Sequence, residues 1–114
     1  MRILTTIIIL AIPLAAAQAE PLANAEHGRA LIRQFGCGSC HLIPGIDGAD
    51  ATVGPPLTQM GRRVYVAGML RNSQDNLARW IEHPQQIVSG NAMPDMGIGP
   101  REAHDIAAYL LTLR

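Results

Sequence analysis

The apolar positions of this chain fall into three stretches of helical period, separated by segments rich in proline and glycine. In the first, Gly28, Leu31, Ile32 and Phe35 recur at i, i+3, i+4 and i+7 and share one face of a helix. Asn24 offers a side-chain oxygen for the N-cap, Glu26 a negative charge near the positive helix end, and Gly36 a stop. The pattern predicts a helix over 25–35. In the last stretch Ile106, Tyr109, Leu110 and Leu113 form the stripe, with Pro100 suited to the first turn and Glu102 to its dipole, so a helix is predicted over 100–113. Gly28 weakens its own helix by about 1 kcal/mol against alanine. It also allows close approach, as do Ala103 and Ala107, so the two terminal helices are expected to cross at Gly28. Between them Leu77, Trp80 and Ile81 predict a helix over 74–82, capped by Ser73 and ended by Pro84. The run 64–70 has no decisive period and is read as a short helix. Segments 44–56 and 89–100 are read as loops, longer than simple connectors need to be, and such loops often carry function.

Ahead of the first helix stands a stretch of different character. Arg2 is followed by an apolar run from Ile3 to Ala17, broken only by Thr5, Thr6 and the kink-forming Pro13. The run is shorter than the roughly 20 residues of a spanning helix. Ala17-Gln18-Ala19 has the small-x-small form of a cleavage site. Residues 1–19 are therefore expected to be a secretory signal cut after Ala19, an uncleaved anchor being the alternative, and 20–114 a single domain in the periplasm. A domain of this size is hard to stabilise by its own core alone. Its aromatic side chains are few: Phe35, Tyr65, Trp80 and Tyr109. Nine basic residues, all arginine, face nine acidic ones for a formal net charge of zero. That balance argues against a nucleic-acid partner and against binding to an anionic membrane surface.

The chemistry lies in Cys37-Gly38-Ser39-Cys40-His41. A C-x-x-C-H sequence places two sulfurs on one turn, in reach of two neighbouring vinyl groups of a haem, and aims the next imidazole at its iron. Gly38 and Ser39 leave room for the porphyrin edge. Such a buried disc would also fill a core poor in aromatics. Two other uses of the motif fit less well. Zinc wants a second ligand pair, and the remaining histidines, His27, His83 and His104, are scattered. A thiol–disulfide oxidoreductase goes with a βαβ pattern, and no strand run adjoins this motif. For a second axial ligand the best candidate is Met93, which Pro94 keeps out of helical conformation. Its soft, neutral thioether would raise the reduction potential. Met96 is the rival, a histidine or an open position are the further alternatives, and Met60 and Met69 are expected to be core fillers.

In this order the sequence resembles a class I cytochrome c over essentially all of 20–114: Gly28, the attachment motif, Gly54-Pro55-Pro56-Leu57, Asn91-Ala92-Met93-Pro94 and the closing Ala108-Tyr109-Leu110. The resemblance implies an all-α fold of three main helices around one covalent haem c. It implies that the Pro55 carbonyl accepts a hydrogen bond from His41, that Arg62 (or its neighbour Arg63) meets a propionate, that Trp80 lines the methionine side, and that Asn91 reaches a propionate. It further implies a one-electron carrier, not an enzyme. Its partners would be redox proteins such as an oxidase, a cytochrome complex or a periplasmic dehydrogenase, met as a monomer through a rim of Gly38, Ser39, Ile43, Ile46 and Pro94. A haem-based ligand sensor or peroxidase would need an open sixth position. The absence of lysine sets this chain apart from family members with a lysine-rich docking face, so their partners cannot be borrowed.

Overall fold

The computed structural model describes residues 22–114, so the expected signal at 1–19 lies outside the described residues. Helix α1 (Ala25–Gln34) starts where Asn24 accepts a hydrogen bond from the His27 amide at 3.0 Å. Helix α2 (Gln74–Glu82) has the predicted bounds, and its Ser73 cap accepts from the Asn76 amide at 3.1 Å. Helix α3 (Pro84–Ile87) is a single turn that the sequence did not reveal: Pro84 ends α2 but also occupies the first position of the next helix. Helix α4 (Pro100–Leu111) is held at its start by the Glu102 carboxylate, which accepts from the Gly99 amide at 3.1 Å. Among the described residues there are thus four α-helices, one of them a single turn, where three main helices and a short one over 64–70 were expected. None is long and apolar enough to cross a membrane.

The expectation of a helix over 64–70 is wrong. The segment is a two-stranded antiparallel hairpin, β1 (Tyr65–Val66) and β2 (Leu70–Arg71). Ala67 and Gly68 both have positive φ, 53° and 66°, which is the backbone of a type I′ turn and cannot belong to a right-handed helix. Val66 is buried and Leu70 half-buried against the core; Met69 is 63 % exposed and is no core filler, whereas Met60 is buried.

Helix α4 is the spine. Leu31 and Ile32 of α1 and Leu77 and Ile81 of α2 are buried together with Ile106 and Leu110 of α4. Fully burying such a side chain stabilises the fold by roughly 1.5–3 kcal/mol. The α1–α4 crossing sits at Gly28, where a Cβ would lie 2.8 Å from the Ile106 nitrogen and closer still to the Asp105 carbonyl. Ala103 and Ala107 have no exposed surface.

The crossing is also locked by charge. Asp105 is buried on α4; its carboxylate accepts from the Asn24 amide at 2.7 Å and meets His27 Nδ1 at 2.6 Å. Desolvation pushes the Asp105 carboxyl up, but the Asn24 hydrogen bond, the His27 contact and the Arg101 charge outweigh it and hold the group below its ordinary 3.8. A carboxyl depressed in the folded state stabilises the fold fully above its unfolded value and loses that contribution as pH falls through the folded one. Asp105→Asn is therefore expected to lower the urea midpoint at neutral pH, and its gap from the wild type should narrow in acid. A gap that stays constant on acidification would assign the effect to packing alone.

Candidate functional site

The attachment motif follows directly on α1. Cys37–Ser39 form a 3₁₀ turn, and the His41 amide closes it on the Cys37 carbonyl at 3.0 Å. Next to it the helices and the hairpin enclose a cavity of about 410 Å³. Ile32, Leu77, Ile106 and Leu110 form apolar walls; Cys37, Cys40, His41, Trp80, Met93 and Met96 all line the same space.

His41 is oriented by the segment that runs beside it. The Gly54 amide donates to the Cys40 carbonyl at 2.7 Å and the Leu57 amide to the Leu42 carbonyl at 2.9 Å, which pins residues 54–57 alongside the motif. The Pro55 carbonyl then lies 2.7 Å from His41 Nδ1. A carbonyl only accepts, so in the neutral imidazole Nδ1 carries the ring proton and Nε2 keeps a free lone pair. Gly54 supports the ring so closely that a Cβ there would lie 2.8 Å from Nδ1 and 3.0 Å from Nε2.

Met93 comes from the loop between α3 and α4. Its amide donates to Asn91 Oδ1 at 2.7 Å, while Asn91 Nδ2 donates to the carbonyls of Pro84 at 3.1 Å and Val88 at 2.7 Å. Asn91 does line the cavity, but both amide hydrogens are spent on its own loop, so it has none left for a propionate. It shapes the approach of Met93 instead. The arginine pair separates in a similar way. The 3₁₀ turn Met60–Arg62 buries Met60 and turns Arg62 out to solvent, away from the cavity lining. Arg63 is in the lining, with its guanidinium on the carbonyls of Pro56 and Thr58.

Two members of the expected docking rim are not at the surface. Ile43 is 2 % and Ile46 8 % exposed. The chain folds back on itself here, the Ile43 amide donating to Ala49 and the Ala49 amide to Ile46, and this turns both side chains into the core. Ser39 and Pro94 remain exposed. Gln85 of α3, not singled out from the sequence, holds the methionine loop from behind: Nε2 donates to the carbonyl of Met93 at 2.7 Å. Burial pushes the Cys37 thiol up, aided by the neighbouring Cys40 and against the Cys37 backbone hydrogen bond. A thiol held in its neutral form is not the activated thiolate of a disulfide oxidoreductase.

The family model for cytochrome c matches residues 25–114. The chain is 38 % identical over 98 residues to cytochrome c oxidase subunit 2 of Alkalihalophilus pseudofirmus, covering 83 % of this chain and 27 % of that protein. It is 31 % identical over 94 residues to the same subunit of Bacillus sp. strain PS3, covering 79 % of this chain and 26 % of the relative. The match to that of Bacillus subtilis is 34 % over 71 residues, 60 % of this chain and 20 % of the relative. The chain thus spans about a quarter of the length of the curated relatives it matches. It belongs to the cytochrome c family, as a class I c-type cytochrome. Membership implies a haem c and its iron.

Proposed function

We propose that the chain carries one haem c, bound through thioethers at Cys37 and Cys40 and ligated by His41 and Met93. It acts as a monomeric one-electron carrier in the periplasm, not as an enzyme, after a signal is cut behind Ala19. The observation that carries this reading is the His41–Pro55 contact. It leaves Nε2 as a metal donor in a cavity shared with two thiols and Met93.

These residues fit the group: a nitrogen and a soft thioether as axial donors, apolar walls for a macrocycle, and one cation, Arg63, in the lining for a propionate. A bound haem supplies the redox centre, its iron exchanging one electron between Fe(II) and Fe(III). The chain supplies constant surroundings. Pro55 fixes the imidazole and raises its basicity. Met93 favours the reduced state, because its sulfur is neutral and soft. Ile32, Leu77 and Ile106 exclude water from the walls. With His41 and Met93 both held in place, no position is open for a substrate.

The partner we propose is a terminal oxidase, because the relatives are oxidase subunits. With no net formal charge and no lysine, the chain neither favours nucleic acid nor depends on a strong positive field for docking.

The test is the absorption spectrum of the exported protein. The oxidised form is expected to show the weak charge-transfer band of methionine bound to Fe(III). Met93→Ala should abolish it and Met96→Ala should keep it. Loss in Met96→Ala alone would move the ligand three positions along. A haem spectrum lacking the band and shifting with carbon monoxide would point to a ligand sensor or peroxidase. No haem would return Cys37 and Cys40 to thiol chemistry.

A further inference from the structure

The loop that presents Met93 has little regular structure to hold it. Besides Asn91, its anchoring comes from one side chain outside the cavity lining. Gln85, the second residue of α3, donates Nε2 to the carbonyls of Asn91 at 2.9 Å and Met93 at 2.7 Å. Its Oε1 accepts from the Gly90 amide at 3.0 Å. The backbone joins in, since the Gln85 amide donates to Asp95 Oδ1 at 3.2 Å on the far side of the methionine. One amide thus engages three residues of the loop, with both of its hydrogens and its oxygen in use.

We propose that Gln85 is a positioning residue for Met93, setting how firmly the loop keeps the thioether on the metal. The inference rests on Met93 being the axial ligand, as proposed above. A neutral thioether binds iron less firmly than an imidazole, so its residence depends on the backbone behind it. Gln85 grips that backbone at the Met93 carbonyl itself, and Asn91 grips the amide on the other side of the same residue.

A purely structural role, starting α3, makes a different prediction. Near a helix N-terminus a carboxylate is favoured by the dipole, so Gln85→Glu would be neutral or stabilising. For positioning, Gln85→Glu is damaging: it keeps the acceptor for Gly90, loses both donors, and turns a charged oxygen toward two carbonyls. Gln85→Met, of similar length and without polar atoms, removes the grip without adding charge.

The experiment compares holoprotein of wild type, Gln85→Glu and Gln85→Met. It follows the rate at which imidazole displaces the sixth ligand of Fe(III), amide hydrogen exchange over residues 90–93, and the urea midpoint. The expected result is a displacement rate raised about tenfold in both variants, from the two hydrogen bonds of ordinary strength to the Asn91 and Met93 carbonyls that both lose, with faster exchange in the loop. Wild-type rates and exchange in both variants, or a lower urea midpoint with the displacement rate unchanged, would overturn the proposal. A wild type lacking the methionine band would sink the ligand assignment and this inference together. A wild type that has the band but is matched by its variants would sink the inference alone.

Discussion

Gly28→Ala is expected to destabilise the protein by about 3 kcal/mol, toward the upper end for overpacked sites. Elsewhere on a helix the same change would help by about 1 kcal/mol, because alanine has the better propensity. Here the added methyl has nowhere to go. It would lie 2.8 Å from the Ile106 nitrogen and collide with the Asp105 carbonyl, both backbone atoms inside a helix that cannot rotate away as a side chain can. To relieve the clash, α1 must lift from α4. Lifting it also strains the Asn24 and His27 contacts to Asp105 and loosens Leu31 and Ile32 against the core. Urea unfolding of the two proteins decides the matter. A midpoint equal to or above that of the wild type would mean that the helices do not cross at this residue.

The second large effect is expected at Gly54→Ala. The new methyl would fall 2.8 Å from Nδ1 and 3.0 Å from Nε2 of His41, inside contact distance along one side of the ring. The imidazole must turn, and turning breaks the 2.7 Å contact with the Pro55 carbonyl that fixes its tautomer. Losing an outer partner of this kind typically weakens a metal site about 10–100-fold. The fraction of exported protein that carries haem should therefore fall, and what remains should show a disturbed spectrum. Pro55 holds the ring only through its carbonyl, so Pro55→Ala should be much milder. Full haem loading with an unchanged spectrum in Gly54→Ala would show that the ring is not held from this side.

Helices α1, α2 and α4 were legible because each carries both a 3.6-residue stripe and a start signal, a capping residue for α1 and α2 and Pro100 with Glu102 for α4, and the two signals agree. Asn24 and Ser73 cap where the stripe begins. The hairpin was not legible. Its turn uses Ala67 and Gly68 in place of the Asn-Gly pair that advertises a type I′ turn, and a run of seven mostly apolar residues has no period to betray it. Helix α3 was hidden because Pro84 serves as both a stop and a start. In the site, the thiols and His41 were readable from five contiguous residues, Met93 from its thioether and the proline that follows it, and Pro55 from the resemblance. Which of two adjacent arginines faces the cavity depends on the sense of a 3₁₀ turn, which composition does not encode. Ile43 and Ile46 misled because an apolar residue beside a glycine-rich turn looks the same whether the turn folds back or not. Gln85 left no trace, since it acts on backbone carbonyls, and any residue type offers those.

The Asn24–Asp105 bond joins positions 81 residues apart, so the core closes only when the end of the chain arrives. A chain delivered from its N-terminus presents the two thiols and His41 long before α4 exists. During that interval α1, ten residues long, is too short to persist as a helix by itself. The order of assembly follows from this: both thiols are accessible first, and the finished fold afterwards half-encloses Cys37 while Cys40 stays exposed. In the periplasmic setting proposed above, the same delay leaves two adjacent thiols exposed to oxidation, where they can join each other. Maturation is then a race between modification and cross-linking, and the distance between the first helix and the last sets how long the race runs.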